Sequence, residues 1–116
     1  MYWVKPGGTR TFNLDAVKEP PKPGDKRNNK HYSLPVDVWT FNKVNGNSKK
    51  RTAHPCPFPD DMIERIVLAC SNLGDTVLDP FSGSGTTGVA AKLHQRSAIL
   101  LEQSAEYCEI ARKRVA

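Results

Sequence analysis

Five residues in one short stretch have types and spacing that chemistry can use: Asp79, Gly83, Gly85, Gly88 and Glu102, all within TVLDPFSGSGTTGVAAKLHQRSAILLE (76–102). The glycines spell G-x-G-x-x-G. They permit a tight turn, let backbone amides approach a ligand closely, and let the following helix pack on the preceding strand. Glu102 lies nineteen positions after Gly83, at the end of a second apolar run. A carboxylate so placed can accept hydrogen bonds from a ribose diol in a nucleotide-type site. A glycine pattern alone suits a ligand-free helix-capping loop equally well. The ordered series of strand, acid, glycines, helix, strand and terminal acid argues against that reading.

The elements that must position these residues can be read outward from them. Thr76 to Leu78 is a strand that stops at Asp79-Pro80, because proline cannot continue a ladder. Val89, Ala90, Ala91 and Leu93 carry a helix, His94 to Arg96 release it, and Ala98 to Leu101 form the second strand. Upstream, His54 to Pro59 (HPCPFP) is extended, each proline biasing its predecessor away from helix. It leads into a helix capped by Asp60 or Asp61, with Ile63, Ile66, Val67 and Cys70 on one face and Gly74 as its end. Downstream, Ser104 caps a helix striped by Tyr107, Ile110 and Ala111, whose last turn, Arg112-Lys113-Arg114, complements the helix dipole. Near the start, Thr11 to Val17 alternates Phe12, Leu14 and Ala16 with polar neighbours, as a short half-buried strand does. Lys18 to Tyr32 lacks periodicity and is expected to order only on binding, whereas Leu34 to Phe41 is a strand or turn anchored by Trp39.

With 116 residues the chain has material for one small domain, and its charge divides it in two. Residues 1–53 hold eleven Lys/Arg against four Asp/Glu, and residues 54–116 hold six against eight, so a basic, loop-rich segment precedes a mildly acidic one. Lys26, Arg27, Lys30, Lys49, Lys50 and Arg51 are candidates for phosphate contacts, the alternative being a solvated loop. The three cysteines, Cys56, Cys70 and Cys108, have no C-x-x-C pairing and suit reduced thiols in a cytoplasm. His54-Pro55-Cys56 has no second ligand pair, so no metal site is expected. Neither a run long enough to span a membrane nor a signal-peptide core in residues 1–10 is present.

Three nucleotide-site patterns compete for the central stretch. A P-loop needs Gly-Lys-Ser/Thr after its glycines, and Thr86-Thr87-Gly88 follow instead. A dinucleotide fold fits the glycines and Glu102 but leaves Asp79-Pro80-Phe81 unexplained. DPFSGSGTT closely resembles the S-adenosylmethionine loop of DNA amino-methyltransferases. TFNLDAV, PVDVW, HPCPFP, GDTVLDPFSGSGTTGVAA and EYCEIARKRV extend the likeness over essentially the whole chain. It is similar to the C-terminal, cofactor-binding half of a permuted-class DNA adenine-N6 or cytosine-N4 methyltransferase. The resemblance implies an α/β chain: a partial Rossmann-like S-adenosylmethionine-dependent methyltransferase fold, parallel strands with flanking helices, at 54–116. Residues 1–53 would be a linker and part of the target-recognition region, in contact with DNA. It further implies S-adenosyl-L-methionine as cofactor, with His54, Pro55 and Phe58 near its methionine end. Asp79, Pro80, Phe81, Gly83, Ser84, Gly85 and Thr86 would line it, Glu102 take the ribose hydroxyls and Gln103 border the adenine. The setting implied is cytoplasmic and nucleoid-associated, of prokaryotic or phage type, in restriction-modification.

One departure from that family matters. Its chemistry uses an Asp/Asn/Ser-Pro-Pro-aromatic tetrapeptide, which holds the amino group of an extruded base while the aromatic stacks on it. Here only Glu19-Pro20-Pro21 approaches it, with Lys22 where the aromatic belongs. No catalytic residue is therefore assigned. The expectation is a partial enzyme, needing a partner chain or a missing N-terminal half; a non-catalytic cofactor- and DNA-binding subunit and a degenerate remnant are the alternatives. With only two parallel strands in sight, the first should present an unpaired edge, leaving Ile66, Val67 and Val89 partly covered.

Overall fold

A computed structural model describes residues 7–20, 38–42 and 58–116. Its regular elements are a short 3-10 helix at Leu14–Val17, then α1 (Asp60–Cys70), β1 (Thr76–Asp79), α2 (Thr86–Leu93), β2 (Ser97–Leu100) and α3 (Ala105–Val115). The strands pair in parallel, Thr76 opposite Ser97 through Asp79 opposite Leu100. A parallel pair needs a crossover, and α2 supplies it. The result is one βαβ unit flanked by helices, the partial Rossmann-like α/β arrangement expected from the sequence.

The two sheet faces differ. Val77, Asp79, Ala98 and Leu100 are half-buried on the side where α2 packs, and Ala90 and Ala91 of α2 are buried. Gly88 is what allows this approach: a Cβ there would stand 2.6 Å from Leu100 Cδ1 and 2.9 Å from Val115 Cγ2. On the other face Leu78, Ile99 and Leu101 are 61%, 54% and 53% exposed. Parallel sheets are normally covered on both sides, so this face has the character of an interior surface.

Helix ends follow local chemistry. α2 stops in a Schellman-type turn, with Gln95 left-handed at φ 60°, its N–H donating to the Lys92 carbonyl at 3.1 Å and that of Arg96 to Ala91 at 2.8 Å. α3 begins as expected at Ser104, whose Oγ accepts from Tyr107 N at 3.4 Å. α1 differs at both ends. Pro59, not Asp60 or Asp61, is its N-cap, and the Asp61 carboxylate accepts from the adjacent Met62 amide. It ends at Cys70 rather than running to Gly74, because Ser71 turns extended and its hydroxyl donates back to Val67 O at 2.5 Å. Arg96 fixes that turn by donating to Ser71 O at 2.8 Å and Ser71 Oγ at 3.1 Å. Of the face expected to be partly covered, Val67 is buried, Val89 half-buried and Ile66 exposed.

The expected strand at Thr11–Val17 is instead irregular chain leading into the 3-10 helix. Asn13 accounts for this. Its backbone N–H donates to Ala69 O at 2.7 Å, and its side chain donates to Leu68 O at 3.1 Å and Ser71 O at 2.8 Å. These are carbonyls left without intrahelical donors at the end of α1, and satisfying them bends the segment out of a ladder. Phe12 and Leu14 stay exposed while Val17 is buried, so the sequence alternation faces no sheet. Trp39 does act as an anchor: the Arg65 guanidinium lies 4.3 Å over its ring, and Phe41 meets it edge-on at 6.4 Å. Among the described residues no helix is long and apolar enough to cross a membrane, and no cluster of three His, Cys, Asp or Glu could hold a metal.

Candidate functional site

The chain leaves β1 at Asp79, and that carboxylate shapes the loop leading to α2. Its Oδ1 accepts from Phe81 N at 3.1 Å, and its Oδ2 accepts from the Thr87 hydroxyl in the first turn of α2 at 2.5 Å. Asp79 thus ties the strand end to the helix start. Between them the loop is drawn onto β2, since Ser82 N donates to Leu101 O at 2.9 Å and Gly85 N closes a turn on Ser82 O at 2.8 Å. Gly83 and Gly85 have φ of 51° and 80°, a conformation that side chains rarely adopt.

Glu102, just past β2, reaches across to this loop. Its Oε2 accepts from Gly83 N at 2.9 Å, and its Oε1 accepts from Ser104 N at 2.9 Å. The carboxylate predicted to hold a ribose diol is therefore also a brace for the glycine loop. A carboxylate oxygen can accept more than one hydrogen bond, the chemistry that a pair of hydroxyls calls for. A neutral ligand edge rich in O–H groups matches such a carboxylate acceptor; an anion does not.

The structure brings Asp79, Gly83, Ser84, Gly85, Thr86 and Glu102 together at the carboxyl ends of adjacent parallel strands. This is where open α/β sheets bind ligands. Ser84 and Thr86 are buried, whereas Phe81 stands 89% exposed above the loop beside Pro80, and Gln103 is exposed next to Glu102. Phe58 is 58% exposed, just ahead of α1. His54 and Pro55 lie outside the described residues, as do Lys26, Arg27, Lys30, Lys49, Lys50 and Arg51. An open cavity of about 440 Å³ runs between β2 and α3, with Glu102, Ser82, Leu100, Cys108 and Arg112 in its wall; among the described residues, Glu102 is the only predicted site residue that borders it.

Sequence reasoning missed two contributors. Thr87 lies inside the motif, and its hydroxyl at the helix start was the available signal. Arg114 had none: it acts across 28 to 30 residues, donating to Ser84 O, Ser84 Oγ and Thr86 Oγ1 at 2.8, 3.0 and 3.1 Å.

The N6/N4 family described as DNA methylase matches residues 1–113 of the chain. The type II methyltransferase M.HpaI of Haemophilus parainfluenzae is 43% identical over 105 residues, which cover 90% of this chain and 33% of that protein. The DNA adenine methyltransferase YhdJ of Escherichia coli (strain K12) is 38% identical over 112 residues, covering 97% and 36%. The chain thus spans about a third of the length of these relatives. Among solved structures, the M1.HpyAVI–SAM complex aligns with a TM-score of 0.61 at 33% identity, over 92% of this chain and 44% of that one. PvuII DNA methyltransferase (cytosine-N4-specific) aligns with a TM-score of 0.68 over 91% and 36%; at 22% identity that likeness bears on the fold alone.

Proposed function

The chain belongs to the N6/N4 DNA methylase family, and from that membership we propose that it supplies the S-adenosylmethionine-binding half of an enzyme methylating an exocyclic amino group of a DNA base. The observation that carries the reading is the convergence of the glycine loop and Glu102 at the carboxyl ends of β1 and β2, joined by the 2.9 Å bond from Gly83 N to Glu102. When bound, the cofactor supplies a methyl group already activated by its sulfonium, which leaves the protein to position donor and acceptor.

In this reading Glu102 holds the ribose hydroxyls and Gln103 borders the adenine. Asp79 fixes the loop, Gly83 to Gly85 give close backbone approach, and exposed Phe81 and Phe58, with Pro80, His54 and Pro55, cover the remaining ligand surface. The basic residues Lys26, Arg27, Lys30, Lys49, Lys50 and Arg51 contact DNA phosphates within a 1–53 recognition segment. No Asp/Asn/Ser-Pro-Pro-aromatic step occurs in these 116 residues, so holding the extruded base falls to polypeptide outside them, a partner chain or an N-terminal half. That same absence favours a second reading, a cofactor- and DNA-binding subunit without turnover.

Calorimetry tests the site. Glu102→Ala should weaken S-adenosylmethionine binding by about 1.5–3 kcal/mol, the range for hydrogen bonds to a charged group. Equal affinities in wild type and variant would remove Glu102 from the site. Radiolabelled methyl transfer to DNA should appear only when a tetrapeptide-bearing polypeptide is added. Transfer by the purified chain alone refutes the half-enzyme reading, and cofactor binding without any complementation selects the second one.

A further inference from the structure

We propose that Arg114 is a positioning residue for the cofactor site, clamping the glycine loop to the head of α1 and so fixing the separation of two segments that face the ligand. The identity of that ligand rests on the function proposed above; the clamp itself does not. Arg114 lies in the last turn of α3, where cations ordinarily serve their own helix dipole. Its neighbours stay at the surface: Arg112 pairs with Glu109 one turn back, and Lys113 is exposed. Arg114 instead turns inward. Nη1 donates to Ser84 O at 2.8 Å, Ser84 Oγ at 3.0 Å and Thr86 Oγ1 at 3.1 Å. Nη2 lies 3.6 Å from Asp60 Oδ1, on the first residue of α1 and two positions after Phe58.

The surroundings make this more than a surface contact. The Arg114 and Asp60 side chains are only 22% and 24% exposed, and both loop residues that Arg114 holds are buried. Charge-assisted hydrogen bonds in such partly desolvated settings are short and roughly twice as strong as neutral ones. Ala111, one turn earlier on the same helix face, stands where a Cβ on Gly85 would come within 2.8 Å, so α3 meets the loop at two successive turns. A planar guanidinium can serve the loop with one nitrogen and Asp60 with the other. A lysine ammonium, a single point, can take one role but not both. Loop geometry, the placement of the segment at Phe58 and the docking of α3 are therefore one coupled arrangement, and a ligand that orders the loop must tighten the other two.

Amide hydrogen exchange on the ligand-free 116-residue chain reads the clamp directly, in wild type, Arg114→Ala and Arg114→Lys. With alanine, the Ser82, Gly83 and Gly85 amides and the Ile63 amide of α1 should exchange roughly tenfold faster or more, while the Leu101 amide bonded to Asp79 stays protected. Lysine should restore the loop amides but not Ile63. Unchanged exchange in Arg114→Ala overturns the clamp. So does acceleration spread evenly over the β1–β2 ladder, or full rescue of Ile63 by lysine. Titration with S-adenosylmethionine separates the two claims. Loss of at least about tenfold in affinity in Arg114→Ala, with lysine intermediate, supports both. Local acceleration in a chain that shows no response to S-adenosylmethionine sinks the ligand assignment and leaves the clamp standing.

Discussion

Replacing Gly85 with alanine tests how tightly the loop is built, and the structure separates its cost into two parts. Gly85 is the N-cap of α2 with φ 80°, so any L-residue there carries the left-handed penalty of about 1–2 kcal/mol. The new methyl would also lie 2.8 Å from Ala111 Cβ and 3.1 Å from Ala111 Cα. The second contact is with helix backbone, which cannot swing aside, and overpacking of this kind costs about 1–3 kcal/mol. Gly85→Ala should therefore destabilise the chain by roughly 2–5 kcal/mol. Urea unfolding followed by far-ultraviolet circular dichroism gives this as a lowered midpoint at unchanged slope. Ala111→Gly separates the parts. Alone it should cost about 1 kcal/mol in helix propensity. In that background Gly85→Ala should lose part of its steric cost and keep its conformational one, giving a favourable coupling of about 1–2 kcal/mol in the double-mutant cycle. A Gly85→Ala variant within about 0.5 kcal/mol of wild type, or a cycle with no coupling, would show that the loop does not rest on α3 as described.

Two further outcomes are expected. Gln95→Gly should raise stability by about 0.5–1 kcal/mol, because it relieves the left-handed penalty at the end of α2 and gives part of the gain back as unfolded-chain entropy; a lower thermal midpoint would contradict this. Neutralising Lys49, Lys50 and Arg51 together should lower the salt slope of DNA binding by about 3, one for each phosphate contact, and an unchanged slope would make the cluster a solvated loop.

What could be read from the sequence was what neighbouring residues decide. Pro80 stops β1, the glycines open the turn, Ser104 starts α3, and each feature acts within a few positions of itself. The strand expected at Thr11–Val17 failed because Asn13 bonds to carbonyls 55 and 58 residues away, and no local alternation carries that information. α1 fell short of Gly74 for a similar reason, its last turn being held by Arg96 from beyond α2. Trp39 was legible as an anchor, though its partner Arg65 was not. At the site, the spacing of Gly83 and Glu102 foretold their meeting, but not that the acid would bond to the loop itself. The basic clusters and His54-Pro55 lie outside the described residues, where the sequence reading stands as a proposal.

The bracing of the glycine loop by residues further along the chain has a consequence for synthesis. A nascent chain that has released residues up to α2 holds the whole G-x-G-x-x-G motif, yet none of its distant partners. Leu101 and Glu102, which receive the Ser82 and Gly83 amides, emerge after it, and Arg114 later still. At about 5–20 residues per second, some seconds separate the emergence of the motif from that of the side chain that fixes it. During that interval the left-handed glycines have local support alone: the Gly85 N to Ser82 O turn and the bonds that Asp79 makes to Phe81 N and Thr87. The loop is thus written early and set late. Occupancy by a ligand is therefore expected to wait for the emergence of α3 from the ribosome rather than for completion of the motif.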